Sequence, residues 1–225
     1  MKKIFSILTL ALLIAAVPAN AQPGKDFFNL GVKAGLNFSR MSDMDDAFER
    51  GFLKTYTGFN AGLVFNFNLP LGFEINPELQ YVQSGISTPA GDGNIFGLMD
   101  YTIKPSTFYS GSLRVPINIQ WGFRFLNIIK PYVVVSPYVG AVLVASGSIL
   151  GVDLDKETVN QFLNRFQYGI GLGAGIYVWR FQVSFKWNWD LNPVFDNDFE
   201  FRGGMIEMED DSRFNGGELS LAFFF

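Results

Sequence analysis

Phe166-Gln-Tyr-Gly-Ile-Gly-Leu-Gly-Ala-Gly-Ile-Tyr-Val-Trp-Arg-Phe-Gln-Val-Ser-Phe-Lys-Trp-Asn-Trp-Asp-Leu191 is the stretch on which the fold turns. Phe166, Tyr168, Ile170, Leu172, Ala174, Ile176 and Val178 alternate with Gln167, Gly169, Gly171, Gly173, Gly175 and Tyr177. After Trp179-Arg180 the apolar series restarts in the other parity. Phe181, Val183, Phe185, Trp187, Trp189 and Leu191 are interleaved with Gln182, Ser184, Lys186, Asn188 and Asp190. A period of two marks β-strands, whose successive side chains point to opposite faces. The parity change fits a two-residue hairpin loop that pairs Val178 with Phe181 on one face. Neither Trp nor Arg is favoured in such a turn, so the register rests on the pattern.

The same alternation recurs outside this hairpin. Phe28, Leu30, Val32, Ala34, Leu36 and Phe38 form one apolar series, and Phe59, Ala61, Leu63, Phe65 and Phe67 a second. Phe73, Ile75, Pro77, Leu79 and Tyr81 form a third, and Tyr109, Leu113, Val115, Ile117, Ile119 and Trp121 a fourth. The chain closes on Leu219, Leu221, Phe223 and Phe225. Lys130 to Val144 is apolar on both parities, and Val133, Val135, Val139 and Leu143 are taken as its outward side. Eight strands result, each about the 9–11 residues that a tilted strand needs to cross a bilayer, or slightly longer. Leu69 to Gly72, Leu126 to Ile128 and Trp179-Arg180 are short connections. Arg40 to Thr55, Ser87 to Ser106, Ala145 to Asn164 and Asn192 to Arg213 are long. Ser42 with Asp45 resembles a capping box ahead of Ala47-Phe48, stopped by Gly51. Asp155-Lys156-Glu157 precedes Val159, Phe162 and Leu163 at helical spacing.

Composition narrows what the apolar face touches. The 225 residues suit one domain. Met1 to Ala21 reads as a secretory signal: Lys2 and Lys3, an apolar run from Ile4 to Val17, and Ala19-Asn20-Ala21 as the cleavage site. Residues 22–225 then form the barrel domain. The leader is too short for a membrane helix of about 20 residues, so an exported chain of this kind inserts as a barrel. Without cysteine there is neither a disulfide scaffold nor lipid attachment through an N-terminal cysteine. Without histidine the usual general base and transition-metal ligand are missing. Charged residues make up only 17% and aromatic ones 16%, and the formal charge of -4 argues against nucleic acid as a partner.

Charge placement and volume then favour lipid outside. Lys33, Glu74, Glu78, Arg114, Lys186, Asp190 and Glu218 all fall in the polar series. A Lys or Arg facing mid-bilayer lipid costs roughly 2–4 kcal/mol. A soluble barrel would also exclude charge from its apolar face, so volume discriminates. An eight-stranded interior barely holds its own side chains. It cannot take the many Phe and Trp of the apolar series, whereas Gly, Asn, Ser and Gln fit. The expectation is an all-β, eight-stranded antiparallel transmembrane β-barrel with long extracellular loops and short periplasmic turns, both termini being periplasmic.

Gly31-Val-Lys-Ala-Gly-Leu-Asn-Phe-Ser39 resembles the first strand of the PorT-like outer-membrane β-barrel family of Bacteroidota. Phe73-Glu-Ile-Asn-Pro-Glu-Leu-Gln-Tyr81, Leu113-Arg-Val-Pro-Ile-Asn-Ile-Gln-Trp121 and Pro131-Tyr132 resemble later strands of that family. The resemblance implies a small outer-membrane barrel, and its eponymous member implies an association with type IX secretion and gliding.

Several residues carry candidate roles. Lys33, Glu74, Glu78, Arg114, Lys186 and Glu218 are candidates for a lumen charge network. They either plug and rigidify the interior or line a path for protons or small solutes. Phe67, Phe73, Trp121, Phe123, Trp179 and Phe181 gather at the short turns as an interfacial girdle, the alternative being ordinary sheet aromatics. Phe223 and Phe225 fit a terminal aromatic signal for barrel assembly, or are simply the last outward residues. Asp196, Asp198, Glu200, Glu207, Glu209, Asp210 and Asp211, against Arg202 and Arg213, form either a solvated acidic loop or oxygen ligands for Ca²⁺. Glu74 and Glu78 have no partner that marks a substrate site, so no catalytic residue, resident metal or cofactor is expected. The functional expectation is a structural or interaction protein of the outer membrane, with a secretion accessory role as its narrower form. The alternative is a narrow channel or transport accessory with a polar lumen. Expected partners are outer-membrane lipid and lipopolysaccharide, the barrel-assembly machinery, and secretion or other envelope proteins.

Overall fold

A computed structural model describes residues 27–41, 54–88, 91–95, 99–103, 106–125, 128–149, 152–153, 164–193 and 213–225. The leader, both helical-turn candidates and the acidic residues from Asp196 to Asp211 lie outside the described residues.

Eight long strands make the barrel: β1 (Phe28–Met41), β2 (Lys54–Asn68), β3 (Phe73–Thr88), β4 (Ser106–Gly122), β5 (Ile129–Ile149), β6 (Phe166–Val178), β7 (Phe181–Asp190) and β8 (Phe214–Phe224). Each pairs antiparallel with its neighbours in chain order, and β8 returns to β1 from Gly31 opposite Phe224 to Met41 opposite Phe214. Closure leaves no free edge, so every ladder group has a partner strand, as hydrocarbon requires. The β6–β7 hairpin holds the expected register, with Val178 opposite Phe181 and Asp190 opposite Gly169. One long connection carries a small hairpin of its own, Gly91–Ile95 against Met99–Ile103, which no sequence pattern announced. Both ends of the described barrel meet at the short connections: Phe225 N–H donates to Leu30 O at 2.9 Å, and Asn68 N–H donates to Phe27 O at 2.9 Å.

Alternation places the two series on opposite sides of the wall. On β7, Phe181, Val183 and Phe185 are exposed, while Gln182, Ser184 and Lys186 are buried in the lumen. On β5, Val133, Val135, Val139 and Leu143 are exposed and Lys130, Tyr132, Val134, Ser136 and Tyr138 are buried. A register shift where β5 pairs with β4 at Gly111/Ser112 then leaves Leu143 and Val144 both exposed. A bulge of this kind inserts one residue and flips the parity beyond it.

Three prolines interrupt the ladder along one diagonal. Phe65 and Asn66 do not pair with Asn76 and Pro77, nor Glu78 and Leu79 with Val115 and Pro116. Ile117 and Asn118 likewise skip Ser136 and Pro137. A proline has no N–H to give, and a carbonyl left open in the membrane costs several kcal/mol. Beside this diagonal a lumen side chain adds a bond to the wall, because Asn118 Nδ2 donates to Asn76 O at 3.1 Å.

Two short turns place bulky residues in the left-handed region, Leu71 at φ 63° and Trp179 at φ 57°. Each position costs about 1–2 kcal/mol relative to a right-handed residue. Within the wall, glycine does a different job. A Cβ at Gly175 would meet the Tyr132 hydroxyl, and one at Gly169 the Tyr138 hydroxyl. The β6 glycines are thus the floor on which the lumen tyrosines lie. Gly175→Val is expected to destabilise the barrel by about 1–3 kcal/mol through overpacking. Urea unfolding in lipid vesicles measures this, and an unchanged midpoint would show that the tyrosine has room to move.

Candidate functional site

Hydrogen bonds and ion pairs fill the lumen in tiers. At the short-turn end, Lys130 Nζ lies 2.6 Å from Glu74 Oε1. Beside this pair the Tyr177 hydroxyl donates to Gln120 Oε1 at 3.0 Å and Asn76 Nδ2 donates to the Tyr177 oxygen at 3.2 Å. In the middle, Lys33 Nζ stands 2.7 Å from Glu78 Oε2 and 2.5 Å from Glu218 Oε1. Lys186 Nζ reaches Glu218 at 3.4 Å, Glu78 at 3.9 Å and Asn118 Oδ1 at 3.2 Å. Asn118 Nδ2 in turn donates to Glu78 Oε1 at 2.7 Å. Nearer the loop end, Arg114 donates to both oxygens of Asp190 at 3.2 Å and to Gln167 at 3.4 Å. The Tyr138 hydroxyl donates to the same Asp190, and the guanidinium sits 4.9 Å from the Tyr138 ring.

Where these contacts run matters more than their number. β3 and β7 stand opposite each other in an eight-strand circle, yet Lys186 on β7 reaches Glu78 on β3. Arg114 on β4 meets Asp190 on β7, three strands away. Such pairs bridge the bore and fill it at their own level. Beside Arg114 and Asp190, a cavity of about 20 Å³ lined also by Asn37, Ser39, Ser84 and Asn188 has room for roughly one water. Among the described residues the buried ionic groups balance. Lys33, Arg114, Lys130 and Lys186 face Glu74, Glu78, Asp190 and Glu218. Balance is expected, since a buried charge without a partner is costly.

The inner face changes toward the loop end. Above the Arg114 tier Val82, Ile86, Phe108, Val142 and Phe214 are buried beside Ser39, Ser84, Ser110 and Ser112, with no further buried ion pair among the described residues. On the outer wall at the same end stand Arg40, Thr55, Thr57 and Thr107, all exposed. Polar side chains on the outer wall mark where the apolar band gives way to water. Below that level the exterior is apolar throughout. Aromatic residues bound this band at both edges. Phe67, Phe73, Trp121, Phe123, Trp179 and Phe181 point outward at the short-turn edge, and Phe181 stacks 5.2 Å from Phe223. Phe59 and Tyr81, 5.6 Å apart, lie at the other edge with Phe166, Tyr168 and Trp189. From Phe181 to Trp189 is eight steps of about 3.4 Å. At a tilt of about 40° this spans about 21 Å, close to the ~25 Å apolar band of outer-membrane barrels.

All six residues expected in the lumen network are inside; Lys33, Lys186 and Glu218, from strands adjacent around the closed barrel, meet as their neighbourhood indicates, whereas Arg114 and Glu74 take other partners. Arg114 pairs with Asp190 rather than with Glu74 or Glu78. Glu74 pairs with Lys130, which the expected network omitted. A signal for Lys130 existed: a lysine on a strand that excludes outward charge must point inward, and that alone sets the parity of β5. Phe223 and Phe225 lie on the outer side and Phe224 is fully buried in the lumen. Among the described residues no cluster of carboxylates is placed to hold a metal ion, and no helix is long and apolar enough to cross a membrane.

A closed eight-stranded wall with an apolar exterior and an ion-paired interior defines an outer-membrane β-barrel. Residues 20–196, well over half of the chain, match the family described as outer membrane protein beta-barrel domain, and the chain belongs to that family. Among solved structures it is similar to Ail, the attachment invasion locus protein of Yersinia pestis, at 12% identity and a TM-score of 0.41, covering 89% of this chain and all of that one. It is also similar to neisserial surface protein A, at 12% identity and a TM-score of 0.44, covering 89% and 98% of the two chains. OprG from Pseudomonas aeruginosa matches at 12% identity and a TM-score of 0.42, over 90% and 98%. No curated protein matches the chain.

Removing one partner of a buried pair strands the other. Arg114→Met and Asp190→Leu are each expected to cost about 3–5 kcal/mol, and the double variant less than their sum. A double-mutant cycle by urea unfolding in vesicles checks this, and strict additivity would mean that the two groups do not interact.

Proposed function

We propose that this protein is a sealed, non-conducting barrel that serves the outer membrane as a structural and interaction protein. The supporting observation is the reach of Lys186 across the bore to Asn118 and Glu78. A lumen closed by opposed ions holds the wall rigid and leaves binding to the ends. In this reading the leader has been removed, the short turns and both termini face the periplasm, and the long connections face outward. The aromatic edge at Phe67, Phe73, Trp121, Phe123, Trp179 and Phe181 is the periplasmic girdle. Lipopolysaccharide surrounds the opposite edge, and Phe223 with Phe225 engages the barrel-assembly machinery. No side chain here is assigned to catalysis. The PorT-like resemblance favours an accessory role in secretion, and copurification of secretion proteins from the native membrane tests that narrower form.

Planar-bilayer recording tests the seal. Wild-type protein is expected to give no steady ohmic current, and replacing Lys33, Glu78 and Glu218 together with alanine is expected to produce one. Steady current from the wild type would favour the narrow-channel reading instead. Deleting Phe223 to Phe225 is expected to impair insertion, read as loss of heat-modifiable migration on gels. Unchanged migration would remove the assembly role.

A further inference from the structure

Large apolar residues crowd the short turns, beside the ordinary turn formers Pro70 and Gly72. Turn positions favour Gly, Asn, Asp, Ser and Pro. Here Leu69, Leu71, Phe123, Phe125, Ile128 and Trp179 occupy or flank all three connections. All but Leu69 are also more open than most of the lipid-facing wall: Leu71 is 88% exposed and Ile128 62%, while the exposed wall residues Val183 and Leu172 reach 42% and 46%. Two of these residues, Leu71 and Trp179, hold a left-handed backbone that glycine would adopt without strain. Selection for a soluble turn would have placed a small polar residue there. Two arginines accompany the apolar set. Arg124 lies between Phe123 and Phe125, and the Arg180 guanidinium sits 5.3 Å from the Trp179 ring.

From this pattern we infer that the three short turns are themselves immersed in the adjoining leaflet, where Arg124 and Arg180 bind the phosphates of anionic phospholipids. The occupant of this surface is lipid rather than protein. Its apolar parts are spread over three separate turns around a ring, with cations among them, which matches a headgroup layer and not a single docking groove. An aromatic ring beside a cation suits that layer, since the ring takes the interface and the guanidinium takes the phosphate. The left-handed Leu71 and Trp179 are then retained because their side chains reach lipid from the tips of the turns. The inference rests on the membrane orientation given above and adds where the membrane ends.

Depth-dependent quenching on the full chain in vesicles tests it. One variant keeps Trp179 as its sole tryptophan, a second replaces every native tryptophan and carries Leu71→Trp, and a third does the same with Leu172→Trp. Vesicles contain phosphatidylcholine brominated either near the top or near the end of the acyl chain, with iodide on both sides. Positions 71 and 179 are expected to be quenched by the shallow bromines and shielded from iodide, and position 172 by the deep bromines. If iodide reaches 71 and 179 but not 172, the turns stand in water and the inference fails while the barrel reading survives. Should iodide reach 172 as well, the barrel reading fails with it. Shielding of 71 and 179 from both quenchers would mean that protein, such as a second copy, covers the turns, and would also overturn the inference. For the arginines, native mass spectrometry compares retained phosphatidylglycerol with phosphatidylcholine. The preference for phosphatidylglycerol is expected to fall roughly thirty-fold in Arg124→Gln/Arg180→Gln, the size carried by two surface charges. An equal preference in wild type and variant would overturn the phosphate contact.

Discussion

Hydrocarbon offers no hydrogen bonds, and the architecture follows from that lack. A strand entering lipid must pair on both sides along its length, so the sheet closes, β8 onto β1. Closing eight strands leaves a bore only wide enough for side chains. Whatever polar groups face that bore must then satisfy one another. Lys33, Lys186, Glu78 and Glu218 do so in the middle, and Arg114 with Asp190 above them. The glycines of β6 belong to the same constraint, since Tyr132 and Tyr138 have space only where the facing strand lacks a Cβ. The wall and the lumen also touch: Pro77, Pro116 and Pro137 break the ladder, and beside them the Asn118 amide donates to the Asn76 carbonyl.

How much of this was legible in the sequence varies from strand to strand. β7 could be read outright, because Phe181 to Leu191 alternates without exception and Lys186 and Asp190 fix the inner face. β5 could not be read from hydrophobicity, since Val133 and Val134 look alike. Its one charge, Lys130, would have settled the matter. Strand adjacency groups Lys33, Lys186 and Glu218 correctly, but the partners of the other charges were not legible. Pairing across a bore depends on strand stagger and on how far a side chain reaches, and neither is written in local spacing. Glu74 and Arg114 are near in strand order, yet their contacts are Lys130 and Asp190. The apolar inner residues at the loop end, such as Phe108 and Phe214, fell outside the strand windows drawn from the outer pattern. A change along the inner face of one strand is invisible to a single rule of alternation.

These features divide the molecule by environment. The lower wall and its turns carry apolar and aromatic groups, the middle carries balanced ions, and the loop end carries a mixed set of buried apolar residues and serines. In the proposed reading the middle is sealed, which leaves the chemistry that distinguishes one partner from another to the two ends. The short-turn end carries apolar and aromatic residues with two arginines, whereas the long connections hold most of the acidic residues of the chain.

Site-directed spin labelling along β7 tests the account most directly. Labels at Gln182, Val183, Ser184 and Phe185 in vesicles are compared for collision with oxygen, which dissolves in acyl chains, and with a water-soluble nickel complex. Positions 183 and 185 are expected to favour oxygen and to be mobile in lipid, while 182 and 184 are expected to be immobilised and shielded from both. Nickel access at 183 and 185, or no alternation along the four positions, would contradict the assignment of the apolar face to lipid.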